Sequence, residues 1–538
     1  MVNRRKIFVL SVFCIVVVAL AIFLAIYFIN GNAGGNNTLM VETSSGLFRG
    51  SADENGGFNK FLGIPYAFVN ASNPFGVSKK NNYWNTEDVQ YPGIRSLDCL
   101  NLNVFVPNKI NAKNLPVMVY IHGGSLAAGS GREFTYGPKF ITRHDVILVT
   151  INYRVGIYGF MCLDIPEVPG NQGLKDQATA LRWIKRNVHA FGGDNNKITI
   201  FGQSAGARSV DFHLMSEQEK LFDQAILQSG NSMCHPGLAK PDNSLPLALA
   251  TYFNNPTDSI IDALSYLSKQ NITDVVKASS ELGFVSRACV ENKYDNVESI
   301  INVHPLKKDL PKIKNTPIII GNTNNEKIEE YINKATSLFK ADLISNFLQN
   351  HFNFDNNTLE RTEDIVKRFY LGDEPITEEV REKLSDFASD MIYTHPQQRR
   401  FSDFITSGAT VYFYLFSHDG DRNYIKLRDN LTYEGASHAD ELSYLFDMAN
   451  YTDEISATDA QILNQLTAMW TNFAKYGNPT PQTTNLLPVK WEPVTKDILY
   501  YLNINVNMTL SNRPSRRRLT FWDLFYKIFG DLQLGSYR

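Results

Sequence analysis

Six short runs of consecutive apolar residues recur along the chain, each bounded by glycine, proline, asparagine or charged residues: 115–121, 145–151, 198–201, 317–320, 411–416 and 498–502. They are continuous rather than alternating, which is typical of strands buried on both faces of a mainly parallel sheet. Helix-length segments separate several of them. In 176–189, apolar residues recur on roughly one helical face, namely Ala178, Leu181, Trp183, Ile184 and Val188. Strands alternating with helices predict a doubly wound α/β sheet with helices on both faces.

Two long segments interrupt this alternation. They cover residues 244–310 and 340–400, which are more polar and have a helical pattern. We interpret them as insertions that cover one end of the sheet. No internal repeat, low-complexity block or linker divides the rest of the chain. The pattern predicts one domain over residues 39–538.

The first 38 residues differ from everything that follows. Arg4, Arg5 and Lys6 precede an uncharged, mostly apolar run over 7–29, which as a helix spans about 34 Å and suffices for a bilayer core. Because the basic residues lie on its N-terminal side, residues 1–6 are predicted to be cytosolic. We expect a single-pass type II membrane protein with a flexible linker over 30–38 and the domain lumenal or extracellular. Cleavage near Ala33, which would give a secreted protein, is the competing interpretation.

Composition narrows the class of protein. The chain has 538 residues, 43% of them apolar, which is enough for a large core. A net charge of −3 argues against a nucleic-acid partner. Five cysteines without a CxxC pair exclude a disulfide scaffold and a zinc ribbon. The four cysteines after the apolar run allow three complete pairings or none: Cys99, Cys162, Cys234 and Cys289. Seven N-x-[ST] sequons permit glycosylation, although about as many arise by chance.

The sharpest chemical signal is the sequence GQSAG over residues 202–206, between a predicted strand and a helical stretch. A G-x-S-x-G motif in this context places a serine on a tight, strained turn where its hydroxyl is exposed. Ser204 is therefore the candidate nucleophile, and the N–H of Ala205 at the helix start points toward a developing oxyanion. Upstream, the strand over 115–121 ends in HGGS, a turn that supplies further oxyanion donors from Gly124 and Ser125.

A serine nucleophile needs a base, and the base needs an acid that fixes its tautomer. In α/β hydrolases the chain order is serine, acid, histidine. Beyond a short gap after the nucleophile, the candidate bases are His235, His304, His351, His395, His418 and His438. His438 stands in a glycine-containing loop late in the chain, and Glu326 follows the apolar run over 317–320, at the carboxyl end of a predicted strand. Glu329 and Glu330 compete with Glu326 on spacing alone. No histidines show metal-binding spacing, so no metal or other cofactor is predicted.

Many motifs in register resemble the type-B carboxylesterases, the cholinesterase-like branch of the α/β hydrolases. They include FLGIPYA (61–67), DCLNLNVFVP (98–107), VTINYRVGIYGF (149–160), the segment over 170–194 and GASHADELSYLF (435–446). The resemblance covers nearly all of 41–529 and implies an α/β-hydrolase fold. It also implies Ser204 as nucleophile, His438 as base and Glu326 as acid, with Gly124, Ser125 and Ala205 as oxyanion donors.

The resemblance implies a serine esterase that cleaves uncharged carboxylic esters by two-step acyl transfer. Ser125 replaces the third glycine of the family's HGGG, and Lys327 replaces a glycine after the acid. The loop that carries the choline-binding aromatic residue in cholinesterases is shortened, so a choline site is not expected. A catalytically silent adhesion ectodomain is the alternative, because such proteins resemble this family too. They typically lack a triad residue, whereas this chain retains all three. Nothing in the sequence specifies an oligomeric state.

Overall fold

A twelve-strand path runs across the main sheet of the protein. The computed structural model describes residues 39–80, 84–85, 96–109, 113–306, 310–332, 343–449, 451 and 454–533. In chain order the strands are β1 (Leu39–Thr43), β2 (Gly46–Ala52), β3 (Phe58–Pro65), β4 (Ala67–Phe68), β5 (Lys79–Lys80), β6 (Trp84–Asn85), β7 (Asn101–Pro107), β8 (Leu115–Ile121), β9 (Ile147–Ile151), β10 (Gly193–Gln203), β11 (Gln224–Gln228), β12 (Pro317–Thr323), β13 (Thr410–Phe416), β14 (Tyr500–Ile504) and β15 (Thr509–Asn512). The order across the sheet is β1-β2-β3-β7-β9-β8-β10-β11-β12-β13-β14-β15, while β6 pairs with β2 and β4 pairs with β5.

The inner strands, from β9 through β14, pair in parallel, and the outer pairs on that path are antiparallel. Each of the six apolar runs contributes to one of these parallel strands, which are β8, β9, β10, β12, β13 and β14. The predicted mainly parallel sheet is therefore confirmed. These strands can be recognised from the sequence because both faces of each inner strand are buried. Polar residues therefore do not alternate with the apolar ones.

Side chains of the inner strands alternate between two cores. On β8, Val117 and Val119 belong to one buried cluster, whereas Met118 and Tyr120 belong to the cluster on the opposite face. This division follows from the two-residue repeat of a strand. Helices cover both faces, as predicted.

The helices that the structure describes are α1 (Lys139–Thr142), α2 (Gly156–Phe160), α3 (Gln172–Asn187), α4 (Ala205–Met215), α5 (Leu245–Tyr252), α6 (Ile260–Leu267), α7 (Ile272–Glu281), α8 (Leu343–His351), α9 (Asn356–Tyr370), α10 (Arg381–Ser389), α11 (His395–Thr406), α12 (Tyr424–Asp429), α13 (Ala457–Tyr476) and α14 (Arg516–Phe529). Helices α3 and α4 contribute buried residues to the first core cluster, and α13 contributes to the second. A π-helical turn, Asp390–Thr394, joins α10 to α11.

Helix α3 begins before the predicted segment. Its expected apolar stripe is buried, but the helix starts at Gln172 and ends at Asn187. The first turn does not show a hydrophobic pattern because polar residues, Gln172 and Lys175, are buried there on either side of Gly173 and Leu174. Lys175, for example, is only 1% exposed and forms an ion pair with the buried carboxylate of Glu291. Tertiary pairing of charges therefore extends the helix beyond its apolar stripe.

The two predicted insertions are helical. Helices α5, α6 and α7 form a satellite apolar cluster that includes Leu249, Leu267 and Val275. Helices α8 to α10 form another together with α14, whose Trp522 is fully buried there. The second insertion reaches the carboxyl end of β12, because the N–H of Lys327 donates to Ser389 Oγ at 3.0 Å. This contact places it beside the loop that carries Glu326.

The predicted membrane segment, 7–29, lies outside the described residues, as do 1–6 and 30–38. Among the helices that are described, none is long and apolar enough to cross a bilayer. One disulfide joins Cys162 to Cys289, whereas Cys99 and Cys234 carry free thiols. The four cysteines within the described residues therefore form one bonded pair and two free thiols, so the predicted alternatives, a complete pairing or none, are both wrong.

A buried ion pair fixes α3 to the strand end at β9. Arg154 and Asp176 are 1% and 0% exposed, and Arg154 Nε lies 2.7 Å from Asp176 Oδ2. The same guanidinium donates to the carbonyls of Pro74 and Gly76. The pair therefore connects three distant segments and satisfies two charges that have no access to water.

We predict that Asp176→Ala destabilises the protein by about 3–5 kcal/mol, because it leaves the Arg154 guanidinium buried without a counter-charge. The matched control is Asp364→Ala, which breaks an ion pair with Arg368 whose side chains are 59% and 70% exposed. That exposed pair contributes little to stability, because water and salt screen its charges. Urea midpoints followed by tryptophan fluorescence compare the two, and equal shifts would contradict the prediction.

Candidate active site

Loops that follow neighbouring parallel strands converge at one edge of the sheet. The HGGS turn follows β8, Ser204 follows β10, Ser229 follows β11 and Glu326 follows β12. His438 lies in the long connection after β13. Because β8, β10, β11, β12 and β13 are consecutive in the sheet, their carboxyl ends bring these residues to one place.

Ser204 occupies a strained backbone conformation at the turn from β10 into α4. Its φ is 58° and its ψ is −124°, a region that side-chain-bearing residues rarely adopt. The turn is held by the N–H of Ser204, which donates to the Gln228 carbonyl at 2.8 Å. A Cβ on Gly206 would overlap the carbonyl oxygen of Ile121, so only glycine allows α4 to approach β8 this closely. The sequence pattern therefore produces the predicted serine turn.

The HGGS turn lies directly beside this serine. A Cβ on Gly123 would lie 2.7 Å from the carbonyl oxygen of Gln203 and 3.2 Å from Ser204 Cβ. The next residues, Gly124 and Ser125, both have positive φ and are exposed. Ala205 is the first residue of α4, where main-chain N–H groups have no partner within the helix. Gly124 and Ser125 thus directly follow a glycine that contacts the serine turn, and Ala205 directly follows Ser204, while their role as oxyanion donors stays a prediction.

His438 is joined to Glu326 by a short hydrogen bond. His438 Nδ1 lies 2.6 Å from Glu326 Oε2, and the carboxylate is completely buried. The other oxygen, Oε1, accepts from Ser229 Oγ at 2.6 Å and from the N–H of Thr323 at 2.8 Å. With the Nδ1 proton donated to Glu326, Nε2 carries the lone pair that can act as a base.

Backbone contacts connect the loops that carry these two residues. The N–H of Asn325 donates to the Ala436 carbonyl at 3.0 Å, and the N–H of His438 donates to the Glu326 carbonyl at 3.1 Å. The amide side chain of Asn324 accepts from the N–H of Ala436 at 2.8 Å. These bonds hold the acid and the base in register independently of their side chains.

The two competing acids have other partners. The Glu329 carboxylate accepts from Ser437 Oγ, and Glu330 forms an ion pair with Lys327. Among the described contacts, neither carboxylate bonds the His438 ring. Of the three glutamates that spacing leaves open, Glu326 alone makes that bond within the described residues.

The environment of His438 favours its protonated form. Burial by itself would lower the pKa of His438, but the hydrogen bond and the charge of Glu326 outweigh burial and hold it above its usual value. Burial and the Glu326 charge also raise the pKa of Glu441 to about 7. The hydrogen bond from His438 to Glu326 therefore favours the charged form of the histidine.

Three further residues also touch the site. Ser229 supports Glu326, as described above. Gln203 Nε2 lies 3.2 Å from His438 Nε2, and Tyr393 Oη lies 3.5 Å from the same nitrogen. Gln203 is recognisable only as the neighbour of the serine. Tyr393 carries no sequence signal, because it stands in a polar helical insertion.

Ser204 Oγ and His438 are not hydrogen-bonded within the described residues, since Nε2 faces Gln203 and Tyr393 instead. In enzymes without substrate, this bond is often long or absent and forms only in the complex. In the part of the chain that the structure describes, no group of three or more His, Cys, Asp or Glu side chains is arranged to hold a metal ion.

A sequence model described as the carboxylesterase family matches residues 37–522, most of the chain. The chain belongs to that family. Esterase FE4 of Myzus persicae is 30% identical to this esterase over 527 residues, covering 89% of this chain and 91% of that protein. Juvenile hormone esterase of Heliothis virescens is 28% identical over 559 residues, covering 91% and 94%. Acetylcholinesterase of Bungarus fasciatus is 30% identical over 558 residues, covering 92% and 87%.

A solved structure agrees with these sequence relatives. The crystal structure of juvenile hormone esterase from Manduca sexta, with OTFP covalently attached, superimposes with a TM-score of 0.78 at 27% identity, covering 91% of this chain and 100% of that one. The predicted family and the α/β-hydrolase fold are confirmed, and the protein is a carboxylic ester hydrolase of the serine type. These relatives are named as enzymes, so the adhesion alternative gains no support.

Ser229→Ala is predicted to lower kcat/KM of this esterase about 10- to 100-fold. It removes a hydrogen bond to a buried carboxylate, worth about 1.5–3 kcal/mol, and leaves Glu326 less firmly held against His438. The control is Ser279→Ala, because Ser279 is also buried and, among the described contacts, its hydroxyl donates to the Val276 carbonyl within α7, away from the site. Ester hydrolysis rates measure both variants. Equal activity of Ser229→Ala and the parent protein would contradict the role of this contact.

Proposed function

We propose that this esterase hydrolyses uncharged carboxylic esters through an acyl-enzyme on Ser204. The observation that carries the proposal is the 2.6 Å bond between His438 and the buried Glu326 carboxylate, next to a serine on a strained turn. A serine hydroxyl is a weak nucleophile until a base accepts its proton. His438 is that base, and Glu326 fixes its tautomer and stabilises the imidazolium.

The first step forms the acyl-enzyme. As Ser204 Oγ attacks the ester carbonyl carbon, His438 Nε2 accepts the hydroxyl proton. The carbonyl oxygen becomes an oxyanion, which the N–H groups of Gly124, Ser125 and Ala205 stabilise. His438 then returns the proton to the alkoxide, and the alcohol leaves. Water repeats the sequence on the acyl-enzyme and releases the carboxylic acid.

The uncharged character of the substrate is inferred from what the sequence lacks. The segment that would carry a choline-binding aromatic residue is shortened, and part of it, 81–83 and 86–95, lies outside the described residues. A quaternary ammonium needs an aromatic face for its recognition. The relatives carry names of insect esterases, juvenile hormone esterases and an acetylcholinesterase, so their names alone do not choose among ester substrates.

Ser204→Ala is predicted to abolish hydrolysis of p-nitrophenyl butyrate by the full-length protein, with kcat falling about 10⁴-fold or more. Ser232→Ala is the matched control, because Ser232 is buried beside the site and its Oγ has no hydrogen-bond partner among the described residues. Its activity should stay close to that of the parent protein. Hydrolysis that survives in Ser204→Ala would overturn the proposed nucleophile.

We also propose that residues 7–29 anchor the esterase as a type II membrane protein with its domain outside the cytosol. The support is the uncharged run and the basic residues before it. The sequon asparagines Asn271, Asn356, Asn430 and Asn507 are exposed, as glycosylation requires.

Expression in animal cells tests the anchor. The full-length chain should stay in the membrane pellet after carbonate extraction and should shift in mass on endoglycosidase treatment. A glycosylated protein released into the medium would instead indicate cleavage near Ala33. A soluble, unglycosylated protein inside the cell would contradict both interpretations.

A further inference from the structure

The ring of Tyr393 lies against the imidazole of the general base. Their centroids are 4.6 Å apart and their planes differ by 29°, which is a stacked arrangement. The Tyr393 hydroxyl is 3.5 Å from His438 Nε2, at the long limit for a hydrogen bond. The principal contact is therefore made by the faces of the two rings.

An unusual backbone places Tyr393 there. It belongs to the π-helical turn Asp390–Thr394, in which the N–H of His395 donates to the Asp390 carbonyl. Single π-helical turns interrupt α-helices rarely and are frequent at functional sites. One additional residue per turn rotates the side chains that follow by about 100° around the helix axis. The turn thereby faces Tyr393 toward His438 between two ordinary helices.

The π-helical turn is fixed from two sides. The buried carboxylate of Asp390 accepts from Tyr370 Oη at 2.6 Å and lies 2.8 Å from Arg518 Nε. On the other side, Ser389 Oγ accepts from the N–H of Lys327, directly after the acid. The position of Tyr393 is therefore set relative to the loop that carries Glu326.

An aromatic face beside an imidazole has a different effect on its two protonation states. A neutral imidazole gains only packing, whereas an imidazolium is also attracted to the negative π-face of the ring. In the proposed mechanism, His438 becomes an imidazolium each time it accepts a proton. A ring stacked on it thus stabilises the charged form that the transition state requires.

We propose that Tyr393 is a positioning residue of this esterase: its ring holds the plane of His438 and stabilises the imidazolium that forms during acylation and deacylation. The inference rests on the proposed function of His438. The ring, rather than the hydroxyl, carries the effect. Tyr393→Phe therefore preserves it, whereas Tyr393→Leu removes it.

Other charged groups also face His438, and they remain unchanged in both variants. The loop after β12 contributes Glu326, Glu329 and Lys327. The segment of His438 itself contributes Glu441, whose pKa responds to the His438 charge. Comparison of Phe with Leu at position 393 therefore isolates the aromatic face against a constant electrostatic background.

Kinetics of the full-length protein with p-nitrophenyl butyrate test the inference. Tyr393→Leu is expected to lower kcat about 2- to 30-fold with little change in KM. The free imidazole is the active base, so kcat/KM rises with pH through the pKa of His438. Without the ring the imidazolium is less stable, so this pKa falls and the acid limb moves down by about 0.4–1.5 pH units. Tyr393→Phe should retain the parent profile.

Ile392→Ala is the matched control. Ile392 stands in the same π-helical turn but packs against the apolar cluster of α8 to α10 and α14. It should lower the melting temperature without moving the acid limb. A shift in Ile392→Ala equal to that in Tyr393→Leu would indicate general distortion of the turn and would overturn the inference. The inference would also be overturned if the acid limb of the pH profile did not shift in Tyr393→Leu. Equal decreases of kcat in Tyr393→Leu and Tyr393→Phe would overturn it as well.

A measurement that is independent of activity separates this inference from the proposed function. In ¹⁵N-histidine-labelled protein, the resonance of His438, assigned with His438→Gln, reports its pKa directly. A lower pKa in Tyr393→Leu than in Tyr393→Phe supports the stacking effect even if the parent protein hydrolyses no test ester. Identical pKa values of His438 in the two variants would overturn the stacking inference, even if the parent protein is an active esterase.

Discussion

Glu326 carries a carboxylate into an interior from which water is excluded, and a buried charge is costly unless hydrogen bonds compensate it. Three donors do so here: Ser229 at the end of β11, the N–H of Thr323 at the end of β12 and the ring of His438 beyond β13. Each comes from a different strand end. The carboxylate is therefore satisfied only when β11, β12 and the connection after β13 are in register, so the fold and the site depend on the same contacts.

The same dependence extends outward from the acid. The loop that holds Glu326 is bonded through Lys327 to Ser389, next to the π-helical turn, and through Asn324 and Asn325 to the segment before His438. The second insertion is thus more than a cover over the sheet. It connects the acid, the base and the aromatic ring that stacks on the base, and α14 secures its far side through Trp522 and Arg518.

How much the sequence predicts depends on the kind of interaction. The parallel strands were predictable because burial on both faces gives uninterrupted apolar runs. Ser204 was predictable because its turn requires glycines at fixed positions. Glu326, Glu329 and Glu330 could not be separated on spacing, since only the contact with His438 distinguishes them. Tyr393 was missed because a π-helical turn changes which face a side chain occupies and leaves no mark in the hydrophobic pattern. The start of α3 was displaced because buried ion pairs look polar in a sequence.

Two buried carboxyl groups near one histidine would repel each other if both were ionised, and the structure treats them differently. Glu326 accepts three hydrogen bonds, whereas Glu441 accepts one, from Gln228, and its Oε2 has no partner among the described residues. Burial, followed by the charge of Glu326, raises the pKa of Glu441 to about 7, so Glu441 gives up its proton less readily than an exposed glutamate does. His438 thus faces one fully compensated carboxylate and one that ionises reluctantly. Of these two acids, Glu326 is the one bonded to the His438 ring, and the donors at the ends of β11 and β12 hold it there as the acid that supports the base.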